Sequence, residues 1–162
     1  MINLIDLIYI ERNLISSKDC DIIIEENKNE VWNKENSLNI DLKHTWSKPK
    51  FVSVNPYKES IKILNKKTHD IIKLYFLYLK EFKYFLPEPL ISSFRYSHNY
   101  RFITYEESVN FHTHIDWNKD NSFTGSCTIN LSEDYEGGQL TFFNENYDVE
   151  LKKGDVVIFP AS

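Results

Sequence analysis

His114 and Asp116, separated by one residue, are the pair in this sequence best suited to hold a metal ion. Along an extended segment alternate side chains share a face, which sets an imidazole and a carboxylate side by side with Cα atoms roughly 6–7 Å apart. Both can then reach one ion at bond lengths of about 2.0–2.2 Å. Two histidines and one carboxylate on one face of an octahedron make a site for Fe(II) that leaves the remaining positions open. The stretch from Tyr105 to Asp116 supplies two of those three groups. Three other histidines compete for the third place. His112 has the same strand parity, but on a straight strand its Cα stands about 13 Å from that of residue 116, too far for one ion without a bend. His98 precedes the Tyr105 segment and His44 lies in a stretch without clear periodicity, so neither is favoured as a ligand. His69 falls between the apolar and polar faces of a helical pattern and reads as an exposed helix residue.

The elements that must position this pair come from a chain of 162 residues, the length of one domain with a sizeable core. Apolar residues make up 41% and aromatics 15%, which excludes a disordered chain. A net charge of −5 and a pI near 5.5 give no long-range attraction to nucleic acid. The scattered Lys62, Lys66, Lys67 and Lys73 read as a solvated helix face. Cys20 and Cys127 are too far apart in pattern for a disulfide framework or zinc cluster, and both read as buried thiols. Met1 to Ile10 is interrupted by Asp6 and lacks a basic leader, and no apolar run is long enough to span a bilayer. The expectation is a soluble, cytoplasmic protein.

In chain order, Leu4 to Asn13 reads as a strand. Ser17 is the expected cap of a helix from Lys18 to near Asn29, with Asp19 and Asp21 favoured by the helix dipole. Trp32 and Trp46 are expected anchors in a polar, poorly periodic segment. A long helix follows: Asn55 caps, Pro56 opens, and Ile61, Leu64, Ile71, Ile72, Tyr75, Leu79 and Phe82 recur at helical spacing. Pro87 and Pro89 stop it beyond Phe85. From Phe94 onward the texture is aromatic and β-branched, in short runs broken by Gly125, Gly137-Gly138 and Lys153-Gly154-Asp155, the spacing of an antiparallel sandwich or barrel. The expectation is a single α+β domain over residues 1–162, with a helical flanking part (1–93) and a β-roll core (94–162).

The ordered set of motifs in that second half resembles the Fe(II)/2-oxoglutarate-dependent dioxygenases of the prolyl 4-hydroxylase type. Tyr105 stands nine residues before His114, and Phe111, His114 and Asp116 give Phe-x-x-His-x-Asp. Thr128 and Leu131, then Gly137, Gly138 and Phe142, then Lys152, Gly154 and Asp155, and last Pro160 follow in the family's order. The resemblance implies a double-stranded β-helix, a jelly-roll or cupin-like core, with N-terminal flanking helices. It implies Fe(II) held by His114 and Asp116, with 2-oxoglutarate and O2 as cosubstrates and ascorbate as an accessory reductant the chemistry admits. By position Tyr105, Asn130 and Leu140 are the cosubstrate-facing residues, and Leu140 fits plain core packing equally well. The Tyr105 hydroxyl is suited to hydrogen-bond a carboxylate. The implied reaction hydroxylates a C–H bond of a peptide, protein or small-molecule substrate, a prolyl side chain among the candidates.

The same family places a second metal histidine beyond the position of Pro160, and a basic anchor for 2-oxoglutarate further on. The sequence ends at Ser162, so the third ligand is expected beyond it, the last strands of the roll are expected to be missing, and a fragment or a decayed homologue is the reading. A cupin is the first rival: His112-Thr113-His114 supplies its His-x-His, but the glutamate and upstream glycine of that pattern are absent. A non-catalytic β-roll binding module is the second. A nucleic-acid demethylase fits less well, because the acidic stretch Glu133 to Glu136 lies near the expected site mouth. Trp117 reads as either channel lining or rim packing.

Overall fold

The first strand is shorter than its apolar residues suggest, because a local hydrogen-bonded box claims its beginning. The structure is a computed structural model and describes residues 3–30, 33–34, 50–81, 100–107, 114, 116, 125–143 and 146–161. Leu4–Leu7 forms a 3-10 turn rather than strand. The Asn3 side chain accepts from Ile5 N–H, and the Asp6 carboxylate accepts from Asn3 N–H. These side-chain bonds offer the backbone an alternative to the ladder. Strand β1 is left with Tyr9–Glu11.

Helix α1 spans Ser17–Asn27 and is capped one residue before the expected Ser17, with Ser16 Oγ accepting from Asp19 N–H at 3.1 Å. Its buried face is Cys20, Ile23 and Asn27. Two short strands follow, β2 (Asn33–Lys34) and β3 (Lys50–Ser53). Helix α2 spans Glu59–Glu81 and buries Ser60, Leu64, Thr68, Ile71, Tyr75 and Leu79, a stripe at three- and four-residue steps. Asn55 does not cap it. That residue closes a turn, accepting Lys58 N–H on its carbonyl and Tyr57 N–H on its side chain. The cap comes from α1, where Glu26 accepts from Ser60 N–H at 2.8 Å and Glu59 N–H at 3.2 Å. Burial pushes the Glu26 carboxyl up, but these N–H bonds and the nearby Lys58 charge hold it below its usual value. His69 is exposed, as its place on the helix predicts. Trp32, His44, Trp46, Phe82, Phe85, Pro87, Pro89, His98, Phe111, His112 and Trp117 lie outside the described residues, as does Phe94 at the head of the next run.

The remaining strands are β4 (Arg101–Thr104), β5 (Gly125–Ile129), β6 (Leu140–Phe142), β7 (Tyr147–Val149) and β8 (Val156–Pro160). All described pairings are antiparallel, giving sheets β1-β8-β5 and β2-β3-β4 and the hairpin β6-β7. Strand β8 is central, and its Val-Val-Ile run is buried on both faces. Val156 and Ile158 enter the core with Ile15, Cys20, Ile71, Tyr75 and Leu79. Phe159, of opposite parity, meets Phe142 of the β6-β7 hairpin edge-on at 4.8 Å between ring centres. Helices therefore cover one face of β8 and the hairpin approaches the other. Tyr75 and Tyr78 of α2 donate to the carbonyls of Leu7 and Asp6, so the same helix fixes the N-terminal turn. Cys20 is buried and its thiol is pushed up to about 11 by burial. Cys127, expected to be buried, is open to solvent on β5, the outer strand of its described sheet, although the protein packed around it raises its thiol to about 12.

The turn before β8 is the tightest junction. Gly154 has φ 88°, and a Cβ there would stand 2.1 Å from the Ile15 carbonyl oxygen. Its own carbonyl accepts Ile15 N–H and its N–H donates to Asn130 O. The buried Asp155 carboxylate accepts from Arg12 Nη1, Asn13 N–H and Lys152 N–H at 2.6, 2.8 and 2.9 Å. Burial raises this carboxyl's pKa, yet the three donors and the Arg12 charge leave it below the usual carboxylate range.

Two outcomes follow for stability. Gly154→Ala costs about 3 kcal/mol or more, from positive φ and backbone collision together. Asp155→Asn costs about 2–3 kcal/mol at neutral pH, below the range for a fully buried pair because Arg12 is open to solvent. Since the folded pKa of Asp155 is lowered, its stabilisation is complete above the ordinary carboxylate range and is lost as pH falls through the lowered value. Urea unfolding at pH 7 and again in acid checks this: the gap between wild type and Asp155→Asn narrows in acid.

Candidate metal centre

The chain reaches the site along the C-terminal end of β8. Register pairs Gly125 with Pro160 and Ser126 with Phe159, so the start of β5 and the end of β8 lie together. Asp116, at a bend, docks there: its N–H donates to Ala161 O at 3.2 Å, and Ser126 Oγ donates to its Oδ2. His114 approaches from the other side, with Nε2 3.2 Å from Asp116 Oδ1. Neither residue lies in a strand, yet the two side chains converge as their spacing predicts. Both are accessible, His114 at 45% and Asp116 at 28% of the side chain.

Bonding from His114 lowers the Asp116 pKa most; burial opposes it, and Ser126, the His114 charge and the Arg101 charge lower it further. The group is thus an ionised carboxylate at neutral pH, as a metal ligand must be. The donor geometry also fits. Ligand atoms at adjacent octahedral positions about 2.1 Å from an ion are about 3.0 Å apart, close to the 3.2 Å between Nε2 and Oδ1. An ion would take the place of the direct contact between these two atoms. Among the described residues no group of three histidine, cysteine or acidic side chains that could hold a metal ion forms.

The cosubstrate-facing residues expected from position lie in three places. Tyr105 follows β4 and is 54% exposed; surrounding protein raises its hydroxyl pKa, against a lowering by the Arg101 charge. Leu140 shares a face of β6 with Phe142, the residue that meets Phe159, so it points toward the interior between the sheets. Asn130 has its amide engaged: Nδ2 donates to Ser132 O and Leu151 O, and Oδ1 accepts from the Tyr135 hydroxyl. Gly137 and Gly138 have φ of 74° and 69°, the positive values expected of the turn before β6. Ser126 was not singled out by motif. Its signal in the sequence is parity alone: it stands two residues before Thr128 on β5, and a single serine on a strand carries no mark of function.

Ser126→Ala is expected to weaken Fe(II) binding about 10–100-fold, the scale for partners that orient a ligand, while Ser126→Thr keeps the hydroxyl and most of the affinity. Anaerobic Fe(II) titration of the three proteins checks it, and equal affinities would remove Ser126 from the site.

Residues 100–162 match the sequence model of the 2OG-Fe(II) oxygenase superfamily. In fold, the chain is similar to a crystal structure of a Pseudomonas putida prolyl-4-hydroxylase, with a TM-score of 0.63 over 96% of this chain and 80% of that one. Identity over that match is 15%, so the likeness is one of fold. No curated protein matches the chain in sequence. In the motifs of its C-terminal part and in its fold, this chain resembles the 2-oxoglutarate/Fe(II) oxygenases of the prolyl 4-hydroxylase type.

Proposed function

We propose that this chain is an Fe(II)- and 2-oxoglutarate-dependent dioxygenase that hydroxylates a C–H bond, with a prolyl or other protein side chain as the favoured substrate class. The observation that carries the reading is the His114 Nε2 to Asp116 Oδ1 approach of 3.2 Å, held by Ser126 and the end of β8. In this reading His114 and Asp116 fill two adjacent metal positions, and the third ligand comes from residues outside those described. Bound Fe(II) with 2-oxoglutarate supplies the power to insert one oxygen atom of O2 into a C–H bond, the other leaving in succinate.

The chain's own residues bind and orient. Asp116 enters as a carboxylate whose second oxygen is tied to Ser126, so its free rotation is removed before a metal arrives. Tyr105 offers a protonated hydroxyl, as a phenol does across physiological pH, and burial raises its pKa further. Leu140 gives the cosubstrate an apolar wall. Asn130, with its amide engaged, holds the loop and hairpin that frame this wall. A jelly-roll closure of the sheets is part of the same reading, supported by β6-β7 meeting β8 through Phe142 and Phe159.

His114→Ala and Asp116→Ala are each expected to lower Fe(II) affinity by more than about 100-fold, beyond the loss seen when an outer partner is removed. Affinity unchanged in both would sink the assignment. Tyr105→Phe is expected to weaken 2-oxoglutarate binding about 10- to 150-fold, the worth of one hydrogen bond to a carboxylate, with iron affinity intact. Calorimetric titration of cosubstrate into the iron-loaded chain measures it, and an unaltered Kd would take Tyr105 out of the site.

A further inference from the structure

The β6-β7 hairpin ends level with the metal pair. Phe142 and Tyr147 are its last cross-strand partners. The Phe142 ring meets Phe159 at 4.8 Å, and Phe159 stands opposite Ser126, whose hydroxyl donates to Asp116. Two residues beyond Phe159, the Ala161 carbonyl accepts the Asp116 N–H. The hairpin's other end lies at Leu140 and Val149. From there the chain reaches Leu151, whose carbonyl accepts from the Asn130 amide, and then the Gly154 turn. Strand β6 therefore runs away from that turn and toward the metal pair, and Phe143 is the next residue in that direction.

Phe143 is held as an ordinary strand end is not. Its φ is 55°, in the left-handed region that a bulky side chain rarely adopts. Asn146 secures this backbone: its N–H donates to Phe142 O at 3.1 Å, and its side-chain amide donates to Phe143 O at 2.6 Å. A continued strand would send the Phe143 side chain to the face opposite Phe142. Instead the two rings stand 6.2 Å apart, tilted at 44°. Phe143 nevertheless stays 41% exposed, so the turn sets an aromatic face in solvent beside the site and not in the core. Backbone strain of this kind persists where it holds a group in a required place.

We infer that Phe143 determines substrate specificity: its exposed ring takes an apolar side chain of a peptide lying across the mouth beside His114 and Asp116. This deepens the proposed reading and rests on it for the reaction that the bound peptide undergoes. Aromatic faces gain most from closely packed apolar groups. A prolyl ring suits this one best, since it offers a compact set of C–H groups and has no side-chain rotamer freedom to lose. A nucleobase also stacks on an aromatic ring. Its phosphate backbone, however, finds no attraction from a chain of net charge −5.

Titrations of the 15N-labelled chain, followed at the Phe143 and Ser126 amide resonances, test this without any turnover. The probes are acetyl-Ala-Pro-Ala-amide, acetyl-Ala-Ser-Ala-amide and thymidine. The inference expects a saturable shift at both amides with the prolyl peptide, which binds about 3–10-fold tighter than the seryl peptide. Phe143→Gly and Phe143→Asn remove the ring and accept the left-handed backbone, so both fold and both lose that preference. Phe143→Tyr keeps the ring and keeps the preference. No saturable shift with the prolyl peptide, equal affinity for the two peptides, or a preference that survives in the Gly and Asn variants overturns the inference. Thymidine binding tighter than either peptide overturns it in favour of a nucleobase. Fe(II) affinity is measured separately on the same chain. If iron fails to bind while Phe143 still selects the prolyl peptide, the metal reading falls and the rim site remains; if iron binds and Phe143 selects nothing, only this inference falls.

Discussion

The buried carboxylate of Asp155 is the constraint on which the rest of this fold hangs. It gathers one guanidinium and two backbone N–H groups from two distant parts of the chain, residues 12–13 and Lys152. Its backbone carbonyl accepts from Asn130 N–H, where β5 ends. Asn13 meets it with φ at 53°, a left-handed conformation that asparagine tolerates better than most residues. An ionised acceptor buried this way is stable only because every donor is in place. The result is that β8 leaves the turn already aligned with β1 on one side and β5 on the other. That alignment decides where Asp116 docks, since its partners, Ser126 and Ala161, sit at the far end of the same two strands.

Seen from the site, the helices and sheets divide the work. Helix α2 packs Ile71, Tyr75 and Leu79 against Val156 and Ile158, which fixes one face of β8 in an apolar core. Phe159 on the other face meets Phe142, which brings the β6-β7 hairpin and Leu140 over the interior. His114 and Asp116 lie outside the described strands, at the edge of this scaffold, and both are accessible. Such a placement is common for functional groups, because a rigid frame fixes them while positions outside the strands stay accessible. The charge environment agrees with it: His114, Ser126 and Arg101 all favour the ionised form of Asp116 against the opposing effect of burial.

Much of this was legible in the sequence where the signal is local. The spacing of His114 and Asp116 suggested neighbouring side chains, although neither residue lies in the extended strand that the spacing argument assumed, and Lys152-Gly154-Asp155 suggested the turn before β8. Of the apolar steps expected along α2, Leu64, Ile71, Tyr75 and Leu79 are buried, while Ser60 and Thr68 complete the buried face without an apolar signal. The failures share a cause as well. Glu26 caps α2 from another helix, a contact between residues 33 and 34 positions apart that no local pattern announces. Leu4–Leu7 looked like strand because its composition is apolar, whereas the Asn3–Asp6 box decides its backbone. Cys127 was read as buried from strand composition, but exposure depends on what covers the strand. Ser126 is set apart only by the tertiary contact it makes.

The central claim is that His114 and Asp116 present one metal ion to 2-oxoglutarate. Its most direct measurement is an anaerobic titration of 2-oxoglutarate into the folded, Fe(II)-loaded chain, watching for the weak visible charge-transfer band of a keto acid chelated to ferrous iron. The account predicts a saturable band that is absent from the His114→Ala and Asp116→Ala proteins. A folded chain that develops no band, or a band of equal strength in those two variants, contradicts it.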